Sequence, residues 1–171
     1  KISIIIPVYN EADTIIDVLE AVSSQIVEDF EFEVIVIDDG SSDATPTLLS
    51  ENAHLYDKAL ALPRNRGKGA AVKKGIIEAS GDYILFQDAD LEYDPVDYKN
   101  LLFPVKEFLA DLVVGSRLLA PPYTRVHYFW HKLGNRFITL IFNILNNTTF
   151  TDIYSCYLLY RRELFTGDQL E

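Results

Sequence analysis

The run Ile2-Ser3-Ile4-Ile5-Ile6-Pro7-Val8 constrains the rest of the chain more than any other stretch. A strand made almost wholly of β-branched residues has no polar face, so it has to be covered on both sides. Two further runs have the same character, Phe32-Glu33-Val34-Ile35-Val36-Ile37 and Tyr83-Ile84-Leu85-Phe86. Weaker strands are predicted at Ala59 to Leu62, Leu112 to Arg117 and Tyr157 to Tyr160. Between them lie helical segments. Ile15, Ile16, Leu19 and Val22 or Ser23 share one stripe, Thr45 to Leu55 forms a second helix, and Ala70 to Ala79 is rich in good helix formers. Strand and helix alternating through short connections predict an α/β fold, a mostly parallel central sheet flanked by helices on both faces in a Rossmann-like way.

Local signals add detail. Pro7 has no N–H and is expected to end the first ladder. Asn10-Glu11-Ala12-Asp13 is expected to start the first helix, with Asn10 as its N-cap. Asp94-Pro95 opens another helix in cap and first-turn order. After Pro121-Pro122 the segment His127 to Asn146 reads as one long helix. Its portion Phe137 to Leu145 is apolar on nearly all sides, and burial is the expected reason, because the run is too short to span a bilayer.

Length and composition narrow the class. At 171 residues the chain reads as one domain with a substantial core. A formal charge of −11 argues against a general nucleic-acid binder, which needs a basic face. The single cysteine, Cys156, rules out an internal disulfide framework and fits a reducing compartment. The first run reads as a strand and not as the apolar core of a signal peptide. With no methionine anywhere and Gln169-Leu170-Glu171 at its end, the chain is read as incomplete at both ends.

The chemistry concentrates at strand ends. Parallel strands deliver their C-terminal ends to one edge of a sheet, where open α/β sheets bind ligands. That edge should gather Pro7-Val8-Tyr9-Asn10-Glu11, Asp38-Asp39-Gly40, Asp88-Ala89-Asp90 and Ser116-Arg117. Asp88 and Asp90 repel each other unless a cation relieves them, and hard oxygen ligands suit magnesium, manganese or calcium. A solvated acidic loop is the competing account. Asp39 can accept from ribose hydroxyls or a base N–H, or can simply serve as a turn and cap residue. Arg64, Arg66, Lys68, Lys73 and Lys74 form a positive patch in an acidic chain. Gly67 and Gly69 let backbone come close to an anion at the helix N-terminus that follows, so a diphosphate contact is plausible. The first turn lacks G-x-G-x-x-G, Gly67-Lys68-Gly69 lacks P-loop spacing, and no EF-hand glycine follows Asp88.

Five ordered blocks carry a resemblance. They are I-I-I-P-V-Y-N-E-A at Ile4 to Ala12, V-I-V-I-D-D-G-S-S-D at Val34 to Asp43, N-R-G-K-G at Asn65 to Gly69, D-A-D-L at Asp88 to Leu91 and G-S-R at Gly115 to Arg117. Together they resemble the family-2 glycosyltransferases of GT-A fold, above all the polyprenyl-phosphate sugar synthases such as dolichyl-phosphate mannose synthase. The resemblance implies a single catalytic domain, with a nucleotide-sugar-binding half over 1–117 and an acceptor-side half over 118–171 that continues further in the family. It implies inverting transfer of a hexose from a UDP- or GDP-sugar to a polyprenyl phosphate, dependent on Mg2+ or Mn2+. Pro7, Tyr9, Glu11 and Asp39 would hold the nucleoside, with Arg66, Lys68, Asp88 and Ala89 completing the donor site. Asp88 and Asp90 would bind metal with Glu92 as a third ligand, where related synthases often have glutamine. Asp90 would act at the diphosphate, and Arg117 would sit near the donor phosphates or the acceptor phosphate.

A lipid phosphate is already anionic and needs no general base. A hydroxyl acceptor would need one, and Asp152 is the candidate; a helix-end capping role is the alternative. Tyr154-Ser155-Cys156-Tyr157 stands where the family usually has T-G-[FY]. The expected setting is cytoplasmic, at the cytoplasmic face of a membrane with peripheral contact, and a homodimer is compatible. Two other readings stay open: transfer to a glycan or other hydroxyl acceptor, and a nucleotide-sugar-binding module without catalysis.

Overall fold

The computed structural model describes residues 1–115, 129–153, 155 and 157–165. It divides into two compact units, Lys1–Val113 with the segment from Leu158 onward, and Val114–Tyr157. The first unit is built on six strands: β1 Ile2–Val8, β2 Phe32–Asp38, β3 Lys58–Ala61, β4 Tyr83–Phe86, β5 Leu112–Val114 and β6 Leu158–Arg161. Their order is β3-β2-β1-β4-β6-β5. The pairs β1–β2, β1–β4 and β2–β3 are parallel, while β6 runs antiparallel to β4. The helices are α1 Ile15–Ser23, α2 Thr45–Glu51, α3 Lys68–Glu78, α4 Tyr98–Phe108 and α5 Phe129–Asn146.

All seven residues of β1 are buried, as its lack of a polar face requires. Side chains alternate across the sheet, so Ile5, Ile35, Ile37, Ile84 and Tyr160 share one face and form a core with Ala71 and Ile76 of α3. Helix α3 comes close here. A Cβ on Gly75 would lie 2.4 Å from Cγ2 of Ile5. On the opposite face Phe32 meets Tyr98 of α4 edge-on at 5.7 Å.

Several expectations are corrected. Pro7 does not end the ladder, because β1 continues through Val8 and Pro7 stays in register with Ile37. Odd-numbered residues of β1 point their backbone groups toward β4, as the bond from Gln87 N–H to Ile5 C=O shows. The β4 pairing stops at Ile5, so the N–H that Pro7 lacks has no ladder partner to lose. Helix α1 starts at Ile15, well past Asn10, and buries Ile15, Val18, Leu19 and Val22. Asn10 instead adopts a left-handed φ of 54°. The predicted Thr45–Leu55 helix splits into α2 and a short 3-10 turn, Ala53–Leu55.

In the second unit α5 ends in a side-chain lock. Asn143 Oδ1 accepts from Phe150 N–H and from the Thr148 hydroxyl, both at 2.9 Å, and its Nδ2 donates to Phe150 C=O at 2.8 Å. The expected burial of Phe137 to Leu145 is not found. Phe137, Leu140, Ile144 and Leu145 are 61%, 55%, 71% and 77% exposed, and within that run Thr139 is the buried residue. The apolar run is therefore largely a surface. No described helix is long and apolar enough to cross a membrane.

Candidate active site

The loops at the C-terminal edge of the sheet enclose a cleft of about 280 Å³, lined by β1–α1, β2–α2, β3–α3 and β4–α4 connections. Its predicted members are Pro7, Tyr9, Glu11, Asp39, Lys68, Asp88, Ala89 and Asp90, joined by Val8, Asn65, Gly67 and Ala71. The volume lies just below the range of about 300–1,000 Å³ for small-molecule pockets.

Cross-loop hydrogen bonds hold each wall. After β1, the Asn10 N–H donates to Ser41 Oγ at 2.9 Å and Ser42 N–H donates to Asn10 Oδ1 at 2.8 Å. Glu11 N–H donates to Thr45 Oγ1 at 3.0 Å. These bonds use the polar atoms that a helix cap would have needed, which explains the late start of α1. The Thr14 hydroxyl lies 2.6 Å from Ala89 C=O and 3.1 Å from the Glu11 carboxylate, so it ties the first loop to the acidic one.

Asp39 is 2% exposed. Its two oxygens accept from Arg66 N–H at 2.9 Å and Gly67 N–H at 2.8 Å. A carboxylate oxygen has a second lone pair, so Asp39 can shape the basic loop and still accept from a ligand. The turn reading and the ligand reading therefore coexist. Gly67 caps α3 with φ 89°, a conformation that favours glycine.

The acidic loop after β4 is held from below by Gln87, which is fully buried. Its Nε2 donates to the carbonyls of Asp88 at 3.1 Å and Tyr93 at 3.0 Å, and its Oε1 accepts from Tyr98 OH at 3.0 Å. Asp90 Oδ1 accepts from Glu92 N–H at 3.0 Å, and Leu91 between them takes φ 60°. Asp88 Oδ1 accepts from Lys68 Nζ. Gln87, Thr14, Ser41 and Ser42 are positioning residues that sequence reasoning did not single out, and Asn10, expected as a helix cap, joins them. The polar Gln87 directly after an apolar strand was the available signal.

Glu92 and Arg66 are not among the lining residues; Arg66 contributes its backbone N–H to Asp39. Asp152 belongs to the second unit, where it is buried and accepts from Asn135 Nδ2 at 2.9 Å. Arg117, with Ser116, Tyr154 and Cys156, lies outside the described residues. Among the described residues no three His, Cys, Asp or Glu side chains are grouped to hold a metal. Two hard-oxygen carboxylates lining one cleft nonetheless fit a cation that takes its remaining ligands from substrate phosphate and water, as Mg2+ and its analogues do.

The sequence pattern of the family described as Glycosyl transferase family 2 matches residues 3–167. The chain is a family-2 glycosyltransferase domain. It is 32% identical over 169 residues to the undecaprenyl-phosphate 4-deoxy-4-formamido-L-arabinose transferase of Proteus mirabilis, covering 96% of this chain and 50% of that protein. It is 28% identical over 173 residues to the dolichol-phosphate mannosyltransferase of Pyrococcus furiosus, covering 99% and 49%. The family-2 domain thus spans about half the length of these relatives. Its fold is that of the GT-A glycosyltransferases. The structure of glucosyl-3-phosphoglycerate synthase from Mycobacterium tuberculosis in complex with Mn2+, UDP and phosphoglyceric acid matches it with a TM-score of 0.71 at 22% identity, over 96% of this chain and 56% of that one.

Proposed function

We propose that this domain is the donor-binding part of an inverting, metal-dependent hexosyltransferase that uses a nucleoside-diphosphate sugar and a polyprenyl phosphate at the cytoplasmic face of a membrane. The observation that carries the reading is the charge of the cleft. Its lining holds four carboxylates, Glu11, Asp39, Asp88 and Asp90, against one ammonium, Lys68. A diphosphate does not enter such a cleft unaided, because like charges in a partly enclosed site repel strongly. A divalent ion held by Asp88 and Asp90 removes that objection and would stabilise the charge growing on the leaving diphosphate.

The remaining residues have definable tasks. Glu11 and Asp39 accept from ribose hydroxyls or a base N–H, and Tyr9, 43% exposed at the cleft, offers an aromatic surface to the base. Lys68 supplies positive charge to the diphosphate, and Arg117 takes the matching role that its family motif implies. The acceptor phosphate oxygen attacks the anomeric carbon as the bond to the diphosphate breaks, with inversion. No proton has to be removed, so the reaction needs no base. The names of the two relatives support a lipid-phosphate acceptor. The exposed apolar surface of α5 supports peripheral contact with lipid.

The test is transfer from UDP- and GDP-hexoses to undecaprenyl phosphate in anionic vesicles, with and without EDTA, on the full-length protein. Turnover should require the metal and fall at least a hundredfold in Asp90→Ala. Full turnover in EDTA, or in that variant, would sink the metal role.

A further inference from the structure

The Lys68–Asp88 ion pair points beyond simple donor binding. Lys68 is the first residue of α3, behind the left-handed Gly67, and its Nζ hydrogen-bonds Asp88 Oδ1. The two partners differ in freedom. The Asp88 side chain is 12% exposed, and the backbone on which it stands is fixed by Gln87. The Lys68 side chain is 51% exposed on a flexible four-carbon stem. Of the two partners, Lys68 is the one better able to change position.

We infer that Lys68 and the divalent metal compete for Asp88, and that metal binding hands the Lys68 ammonium over to the donor diphosphate. The inference rests on the donor-site reading above and adds an order to it. A metal arriving alone has to displace the Lys68 ammonium from one of its two carboxylates. A metal arriving with a diphosphate gives the ammonium a new partner. Lys68 thus weakens binding of free metal, strengthens binding of the metal–diphosphate pair, and couples the two ligands positively; by linkage that coupling is the same whichever binds first.

The experiment is Mn2+ titration followed by electron paramagnetic resonance, with UDP as the diphosphate probe, on native protein, Lys68→Met, Lys68→Gln and Lys68→Arg. Loss of the ammonium should tighten Mn2+ alone by about three- to tenfold, the size of a half-exposed ion pair. The same change should weaken UDP at saturating Mn2+ by a similar factor. Lys68→Arg should stay near native on both counts, and in an Asp88→Asn background Lys68→Met should no longer tighten Mn2+. Opposite signs separate this role from a structural one, since a distorted cleft would weaken both ligands. Unchanged or weaker Mn2+ binding in folded Lys68→Met and Lys68→Gln overturns the competition alone. Failure of native protein to bind Mn2+ even with UDP overturns the donor-site reading and the competition with it.

Discussion

Gln87 sets the path of the acidic loop after β4, although it is absent from the cleft lining. Its side chain bonds two loop carbonyls and one phenol, all in a fully buried position. Gln87→Leu keeps the approximate volume and removes all three bonds, leaving the Tyr98 hydroxyl and the Tyr93 carbonyl without this partner. A buried hydrogen bond contributes about 0.5–1.5 kcal/mol net, so with three of them gone the variant should lose about 2–4 kcal/mol in urea unfolding. The acidic loop should also lose its fixed path, and UDP affinity at saturating Mn2+ should drop at least tenfold. A Gln87→Leu protein that matches native stability and UDP affinity would refute this positioning role. The residue illustrates what a linear sequence conceals. Asp88 and Asp90 announce themselves through charge, whereas Gln87 matters through three partners that only the folded chain brings within reach.

Elements divide along the same line. Strands β1, β2 and β4 were legible because β-branched runs exclude any other placement, and α3 and the Asp94 cap followed from ordinary propensities. The start of α1 was not, because Asn10 gives its polar atoms to Ser41 and Ser42 on another loop. Burial of α5 was misjudged since hydrophobicity reports a preference for leaving water and does not name what covers it. Two glycines of the site loops make the contrast testable. A Cβ on Gly40, at φ 73°, would fall 2.6 Å from the Arg64 carbonyl carbon, whereas one on Gly67, at φ 89°, would meet nothing within 4 Å. Gly67→Ala should therefore cost only the left-handed conformation, about 1–2 kcal/mol. Gly40→Ala adds a backbone collision that pushes 64–67 off the Asp39 carboxylate, so it should cost more and weaken UDP as well. Thermal melts and UDP titration rank the two, and a larger loss in Gly67→Ala would exclude the collision as the reason for glycine at 40.

Across the first unit as a whole, the two edges of the sheet carry different duties. The C-terminal edge holds the cleft, and the opposite edge holds a buried carboxylate, Glu33, that belongs to no site. Burial alone would raise its pKa from the ordinary 4.5, but hydrogen bonds from Ser3, Ser80 and Lys58 outweigh that and bring it down to about 2. Ser3 Oγ donates to Glu33 Oε2 at 2.6 Å, and Ser80 donates through its N–H at 2.9 Å and its hydroxyl at 2.8 Å. A folded pKa below the unfolded one means that the folded state favours the carboxylate. The stabilisation is then complete above about pH 4.5 and disappears as pH falls toward about 2. A displacement of that size corresponds to at most about 3.5 kcal/mol. Glu33→Gln should accordingly lower stability at pH 7 by about 1–3 kcal/mol and flatten the loss of stability between pH 4.5 and 2, as read from urea unfolding at each pH. Because the cleft loops hang from the other ends of the same strands, UDP affinity at pH 7 should stay within about twofold of native as long as the protein is folded. A large fall in UDP affinity in that variant would mean that the sheet transmits strain from one edge to the other, and that stability and donor binding are not separable in this domain.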